Sequence, residues 1–319
     1  MDESGETPMI VRDAVQEYLS SIRRKLEQRT QVGYQQRLGV FADWCTASGI
    51  SLEHFSKKSG YRIVDDFIEY LITTHPGKKG QVLSSTTVRG YVISIKVFLR
   101  WCLRKSDEFE EYINPIILER VEIPKIERKV VETFSDRQVT AMLAACELEY
   151  NEHLKLRNRA ILSVLIGTGI RVHELCGLTI ECTHTEVEDA HIKVFGKGRM
   201  WREVPLDEDS RKLVGRYLRR FRAGVEGSAP LFVDKSESRA LTRSGIEQLF
   251  EKLGRIAHVT GVRCSPHTAR HTYATRFMAE GGNPYHLQKC MGHETFATTE
   301  KYLKTLPPRD IRAALRRVK

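Results

Sequence analysis

Apolar residues at positions 11, 15, 18, 19 and 22, with charged and polar residues between them, lay a stripe along one face of a helix over Val11–Lys25. A second pattern follows and then repeats. Thr30, Tyr34, Leu38, Phe41 and Trp44 recur with the spacing of Thr87, Tyr91, Ile95, Phe98 and Trp101, in steps of four, four, three and three residues. Such steps keep aromatic and aliphatic side chains on one buried face, so each copy reads as a core helix opened by its threonine. Between them "VDDFIEYLITT" predicts a third helix, closed by the turn-rich "HPGKKGQ". The first part is therefore expected to be a small helical bundle over residues 1–120. Pro124 interrupts the pattern, lysine and arginine crowd residues 125–129, and Ser135 is placed to cap a new helix, which puts a linker at 121–133.

Beyond the linker, "RQVTAMLAACEL" and "LRNRAILSVLIGTG" predict helices, the latter ending at Gly169. The period then shortens to two. In "LTIECTHTEVEDAHIKVFGKGRMWREVPL" the segments "IKVF" and "REVPL" flank a glycine-rich turn, the pattern of a small antiparallel sheet. Helices return from "EDSRKLVGRYLRRF" onward. The expected fold class is mainly α with one small antiparallel β-sheet, in two domains, the second spanning 134–319.

Composition narrows the classes. The 319 residues are 41% hydrophobic and 29% charged, and no apolar run approaches the roughly 18 residues that a membrane span needs. The acidic start "MDESGETPMI" lacks the basic segment and apolar core of a secretory signal, so a cytoplasmic protein is expected, with no membrane partner. Cysteines at 45, 102, 146, 176, 182, 264 and 290 include no pair at two-residue spacing, and read as small buried hydrophobes. The net charge of +10 points to a polyanionic partner, most often nucleic acid. Residues before 130 hold 20 Lys+Arg against 18 Asp+Glu and the remainder 31 against 23, so the basic excess sits mostly in the second part. In the first part, Arg89, Lys96 and Arg100 fall at helical intervals on the expected outward face of the second repeat helix, where they are candidates to follow a phosphate backbone.

Several cations sit where the chain is expected to turn. Arg171 follows "GTG", Lys197 lies at the tip of "GKGR", and "SPHTARHT" supplies His267 and Arg270. His293 follows a glycine in "MGHETFATTEKYLK", and Tyr302 comes nine residues later. Two guanidiniums can clamp the non-bridging oxygens of a phosphodiester through bidentate hydrogen bonds. A phenol of pKa about 10 needs cations and a proton acceptor to attack at neutral pH, and His267 is the candidate base. The departing 5′ oxygen needs a proton, which Lys197 could deliver. Gly292 would allow a tight turn that exposes His293 to the same phosphate. No Asp/Glu cluster suggests a Mg²⁺ site and "GKGR" is too short for a P-loop, so neither cofactor nor metal is expected.

In this order, "TGIRVHEL", "FGKGRMWREVPL", "HTARHTYAT" and "MGHETFATTEKY" resemble the catalytic domain of the tyrosine recombinases, the phage-integrase and Xer-type site-specific recombinases. The repeat helices resemble that family's paired DNA-facing helices, and the likeness spans nearly the whole chain. It implies a SAM-like helical core-binding domain ahead of a tyrosine-recombinase catalytic domain. Position by position, Tyr302 matches the nucleophile, Arg171 and Arg270 the phosphate-binding pair, Lys197 the hairpin lysine, His267 and His293 the two histidines, and Glu174 the supporting acid. His173 and Ala269 depart from common residues at positions without chemistry, and His271, beside Arg270, is expected to be a packing residue or one that supports the catalytic groups from behind. The resemblance further implies strand exchange through a 3′-phosphotyrosine and a Holliday junction without metal or ATP, double-stranded DNA sites as partners, a homotetramer on paired sites, and possible accessory or directionality factors. The tail 303–319 is a candidate for exchange between protomers. Two other readings stay open: a type IB topoisomerase-like relaxase using the same pocket, and an accessory DNA-binding protein with a silent pocket, against which the filled catalytic set argues.

Overall fold

A computed structural model describes residues 10–75, 82–104, 109–125, 131–196 and 200–305. The chain forms two compact units, Met1–Lys129 and Val130–Lys319. The first holds five α-helices among its described residues: α1 (Val11–Ile22), α2 (Gln28–Ala47), α3 (Tyr61–Thr73), α4 (Ser85–Arg104) and the short α5 (Ile116–Arg120). The stripe on α1 buries Val11, Val15, Tyr18 and Ile22, and the repeat buries Leu38 and Phe41 on α2 and Ile95 and Phe98 on α4 in one core. Aromatic edges lock these helices together, with Tyr18 set 5.9 Å from Phe98 and Phe41 5.0 Å from Phe67 between ring centres.

Two sequence expectations need correction here. The repeated threonines do not open their helices: Thr30 and Thr87 each lie inside the first turn, preceded by Glu27 and Ser84. Ser84 Oγ accepts the Thr87 N–H at 3.3 Å, so the serine does the capping at the second copy. Nor do the three cations of α4 share an outward face. Arg89 Nη1 donates to the Pro124 carbonyl at 3.1 Å and Lys96 Nζ to the Val121 carbonyl at 2.8 Å, which leaves Arg100 as the exposed member. The reason is the stop of α5: carbonyls beyond the helix end need donors, and long basic side chains reach them with their stems against apolar surface.

In the second unit α6 (Asp136–Ala145) starts at Ser135, whose hydroxyl accepts the Gln138 N–H while the Gln138 side chain accepts the Ser135 N–H. Then come α7 (Glu152–Thr168), α8 (Val172–Cys176), strands β1 (Thr183–His184), β2 (His191–Phe195) and β3 (Trp201–Pro205), and helices α9 (Glu208–Phe221), α10 (Arg243–Ile256), α11 (Pro266–Ala279), α12 (Pro284–Met291) and α13 (Phe296–Thr305). Helix α7 is buried on nearly every side, carrying Leu156, Ile161, Leu162, Val164 and Leu165 into the core, and α9 and α11 pack against it. The strands form an antiparallel meander in the order β1-β2-β3, with Ile192 opposite Val204 and Val194 opposite Arg202. Opposed residues share a face, so Arg202 points inward with Ile192, Val194 and Val204, toward the site described next.

Candidate active site

Helix α7 stops at Thr168 because Gly169 takes a left-handed conformation, φ +63°, which closes its N–H onto the Leu165 carbonyl. A Cβ added there would stand 2.3 Å from the Tyr273 ring. Glycine is thus required by backbone and by neighbour. The turn delivers Arg171 to the start of α8, where its N–H donates to Glu174 Oε2 at 2.7 Å. Helix α12 ends in the same way at Gly292, also at φ +63°.

These two stops orient the arginines. Arg270 Nη1 donates to the Gly169 carbonyl at 2.6 Å and Nη2 to the Met291 carbonyl at 2.8 Å, while Arg171 Nη2 donates to the Gly292 carbonyl at 2.8 Å. Carbonyls left free where helices end therefore aim both guanidiniums. Arg270 is 6% exposed, and burial, followed by the charge of Arg171, lowers its pKa to about 10, so it remains charged at neutral pH. Arg171 is the more open of the two and, with Arg270 and His267, lines a cavity of about 430 Å³.

Glu174 is the counterweight. Its side chain is fully buried and is gripped by Arg202, Nη1 to Oε1 at 2.9 Å and Nη2 to Oε2 at 2.8 Å, with Arg171 Nη1 a further 3.2 Å donor. Burial raises the carboxyl's pKa, but the hydrogen bonds and charges of Arg202 and Arg171 outweigh it and hold the group below the usual carboxylate range. Arg202 Nε also donates to the Cys290 carbonyl at 2.9 Å, tying β3 to the last turn of α12. Arg171, Arg202 and Arg270 thus gather near one carboxylate, and Lys301 joins them around His293, an excess of positive charge that an anionic ligand would relieve.

His293 and Tyr302 meet, as the spacing predicts, but inside the protein. The turn at Gly292 does not expose His293; it directs the ring inward, where it is 9% exposed, with Nδ1 2.8 Å from Thr299 Oγ1. The His293 ring lies nearly parallel to that of Tyr302, 6.4 Å away, and Lys301 Nζ stands 4.8 Å from the Tyr302 ring centre. Tyr302 is 1% exposed, and burial pushes its phenol up to about 12 although Arg270 pulls the other way. Burial, then neighbouring cations led by Arg270, lowers the His293 pKa to about 3, so its imidazole is neutral.

The histidine that meets the Tyr302 hydroxyl is not the one that sequence reasoning favours. His271 Nδ1 lies 2.7 Å from Tyr302 Oη, whereas His267 meets His271 edge-on at 4.1 Å between ring centres and faces the cavity. One turn of α11 separates the two histidines, and α13 packs at the level of the second. Lys197 lies outside the described residues, as does the tail from 306 onward. Sequence reasoning missed Arg202, Thr299 and Lys301. Arg202 had a signal: alternation along β3 puts it on the buried face, where an arginine must have a partner. Among the described residues no group of three or more His, Cys, Asp or Glu side chains is placed to hold a metal ion.

Residues 132–308 match the model of the phage integrase family. Over 283 residues, 88% of each chain, the sequence is 29% identical to the tyrosine recombinase XerD of Pseudomonas aeruginosa. It is 31% identical to XerD of Xanthomonas axonopodis pv. citri over 66% of this chain and 68% of that one. Among solved structures, the XerH site-specific recombinase bound to its difH substrate before cleavage aligns with a TM-score of 0.71 at 17% identity, covering 94% of this chain and 83% of that one. A lambda integrase dimer bound to a core site aligns at 0.67 and 12% identity, covering 93% and 96%.

Proposed function

This chain belongs to the phage integrase family and is a tyrosine-type site-specific recombinase; from that premise we propose that it cuts and rejoins double-stranded DNA through a covalent 3′-phosphotyrosine at Tyr302, using neither metal nor ATP. The observation that carries the reading is the meeting of two backbone-aimed arginines, a neutral histidine and a buried tyrosine in one cluster of excess positive charge. A phosphodiester entering it would find in Arg171 and Arg270 two guanidiniums already held for bidentate contact, and little reorganisation would be left for the transition state. If the Thr299 hydroxyl donates to Nδ1 of His293, the ring proton sits on Nε2, free to bond a phosphate oxygen. Glu174 and Arg202 hold Arg171 and the α12 turn in register without touching the phosphate. Lys197 would supply the proton to the departing 5′ oxygen.

Covalent storage of the bond energy lets a 5′ hydroxyl from a second DNA rejoin the strands, so two rounds through a Holliday junction complete an exchange. We assign the paired sites to a homotetramer, with Tyr302 acting in each protomer and the tail beyond 303 linking neighbours. Accessory or directionality factors would act on that assembly. The first unit is the proposed core-binding domain, with Arg100 the exposed phosphate contact on α4. The DNA-bound XerH and lambda integrase structures share the fold and support a DNA partner here. The test uses a plasmid carrying two copies of a site selected from a random duplex library: exchange between sites is expected, and relaxation without exchange would establish a topoisomerase-like relaxase instead. Specific binding with neither would leave an accessory DNA-binding protein.

A further inference from the structure

Resting on the reading of Tyr302 as nucleophile, the geometry points to His271 as the group that takes the tyrosine's proton during strand cleavage, with His267 confined to the phosphate side of the pocket. A general base must lie within hydrogen-bonding reach of the proton it removes, and His271 Nδ1 is 2.7 Å from Tyr302 Oη. The phenol is almost wholly shielded from solvent, so bulk water is a poor alternative acceptor. His271 is faced by His267 and Arg270 from its own helix, by Lys301 and Tyr302 from α13 and by His293 from the turn after α12. Burial first, and then those cationic or protonatable neighbours, hold its pKa near 3, so the ring is neutral throughout the physiological range; in the tautomer that carries its proton on Nε2, Nδ1 presents a lone pair to the phenol. His267 reaches the open cavity alongside Arg171 and Arg270, the place for a group that binds the phosphate.

The step balances without an added reactant. As the Oη–P bond forms and the P–O5′ bond breaks, the phenol proton passes to His271 Nδ1 and the leaving 5′ oxygen is protonated by the acid assigned to Lys197. The imidazolium is tolerated because negative charge develops on the phosphorane beside it. When a 5′ hydroxyl later attacks the phosphotyrosine, His271 returns the proton to the departing phenolate.

A residue that merely holds the ring in place would behave differently, and pH separates the two roles. The experiment is single-turnover cleavage by the full chain, between pH 5.5 and 9, of a nicked site whose scissile linkage carries a bridging 5′ sulfur, a leaving group that needs no acid. With wild type the rate should be level with pH. In His271→Asn, which keeps a hydrogen-bonding atom near Nδ1 but cannot take up the proton, the rate should fall on the order of 100-fold at pH 7. It should then rise about tenfold per pH unit, because the phenol must ionise unaided. His267→Asn should slow cleavage without tilting the profile. The inference is overturned if His271→Asn cleaves like wild type, if it is slowed by the same factor at every pH, or if His267→Asn produces the rising profile. Should His271→Asn fail to fold, the wild-type profile still decides: a tenfold rise per pH unit there would overturn the inference. An absence of adduct from wild type would overturn the reading of Tyr302 itself.

Discussion

Replacing Arg202 by methionine removes half of the grip on a carboxylate that has no access to water. Glu174 receives two hydrogen bonds from Arg202, at 2.9 and 2.8 Å, and two from Arg171, at 2.7 Å from the backbone and 3.2 Å from the side chain. Breaking a buried ion pair from one side costs about 3–5 kcal/mol, because a charge is left without its partner. Arg171 remains, and the Arg202 side chain is 14% exposed, which place the expected loss near the lower end, about 3 kcal/mol. The loss should be recoverable. Glu174→Gln in the same chain removes the stranded charge, so the double variant should be about 2 kcal/mol more stable than the sum of the two single changes predicts. Urea unfolding of the full chain, followed by circular dichroism and fitted for the transition of the second unit, gives all four values. Arg202→Met within about 0.5 kcal/mol of wild type, or additive changes, would refute the claim that this pair organises the site.

Gly169→Ala should destabilise the second unit by about 2–4 kcal/mol in a thermal or urea melt, since it combines a left-handed backbone with a Cβ 2.3 Å from the Tyr273 ring; a neutral change would contradict the turn. Thr299→Val keeps the shape but unpairs His293 Nδ1, and should cost about 1–2 kcal/mol along with slower cleavage; unchanged cleavage would remove the bond from the mechanism. His271 and His293 have folded pKa values near 3, below the unfolded value of about 6.5, so the unfolded chain binds more protons and stability falls as pH drops from about 6.5 toward 3. Each contributes at most about 1.4 kcal/mol per pH unit, and Glu174, whose folded pKa is lowered, adds a loss that starts below about pH 4.3. A urea midpoint independent of pH between 6.5 and 4.5 would contradict this. Truncation after Leu306 should abolish recombination but spare binding to a single site, and a truncated protein that still recombines would remove the tail from the assembly.

The repeat of aromatic positions was readable because 3.6-residue periodicity and a buried face are the same fact seen twice, and Leu38, Phe41, Ile95 and Phe98 are all at the core. The caps of Ser135 and Gly169 were readable for a similar reason: hydroxyl and missing Cβ act locally. Pairings between distant segments were not. Nothing near Arg89 or Lys96 in sequence shows that carbonyls 35 and 25 residues further on, respectively, will claim their charges. The choice between His267 and His271 also turns on which level of α11 meets α13, a matter of packing between helices. Motif order groups Arg171, Arg270, His293 and Tyr302, but the burial of His293 and Tyr302, and the part of Arg202, follow from the tertiary fold.

The central claim, that Tyr302 is the nucleophile of a metal-free cleavage, is met most directly by trapping the adduct. Wild type and Tyr302→Phe are incubated in EDTA with nicked duplexes carrying the selected site, resolved on a denaturing gel, and the labelled peptide is sequenced. The account predicts a DNA-linked band from wild type, absent from Tyr302→Phe, with the label on the peptide that holds Tyr302. Specific DNA binding without any adduct, or a label on another residue, would contradict it.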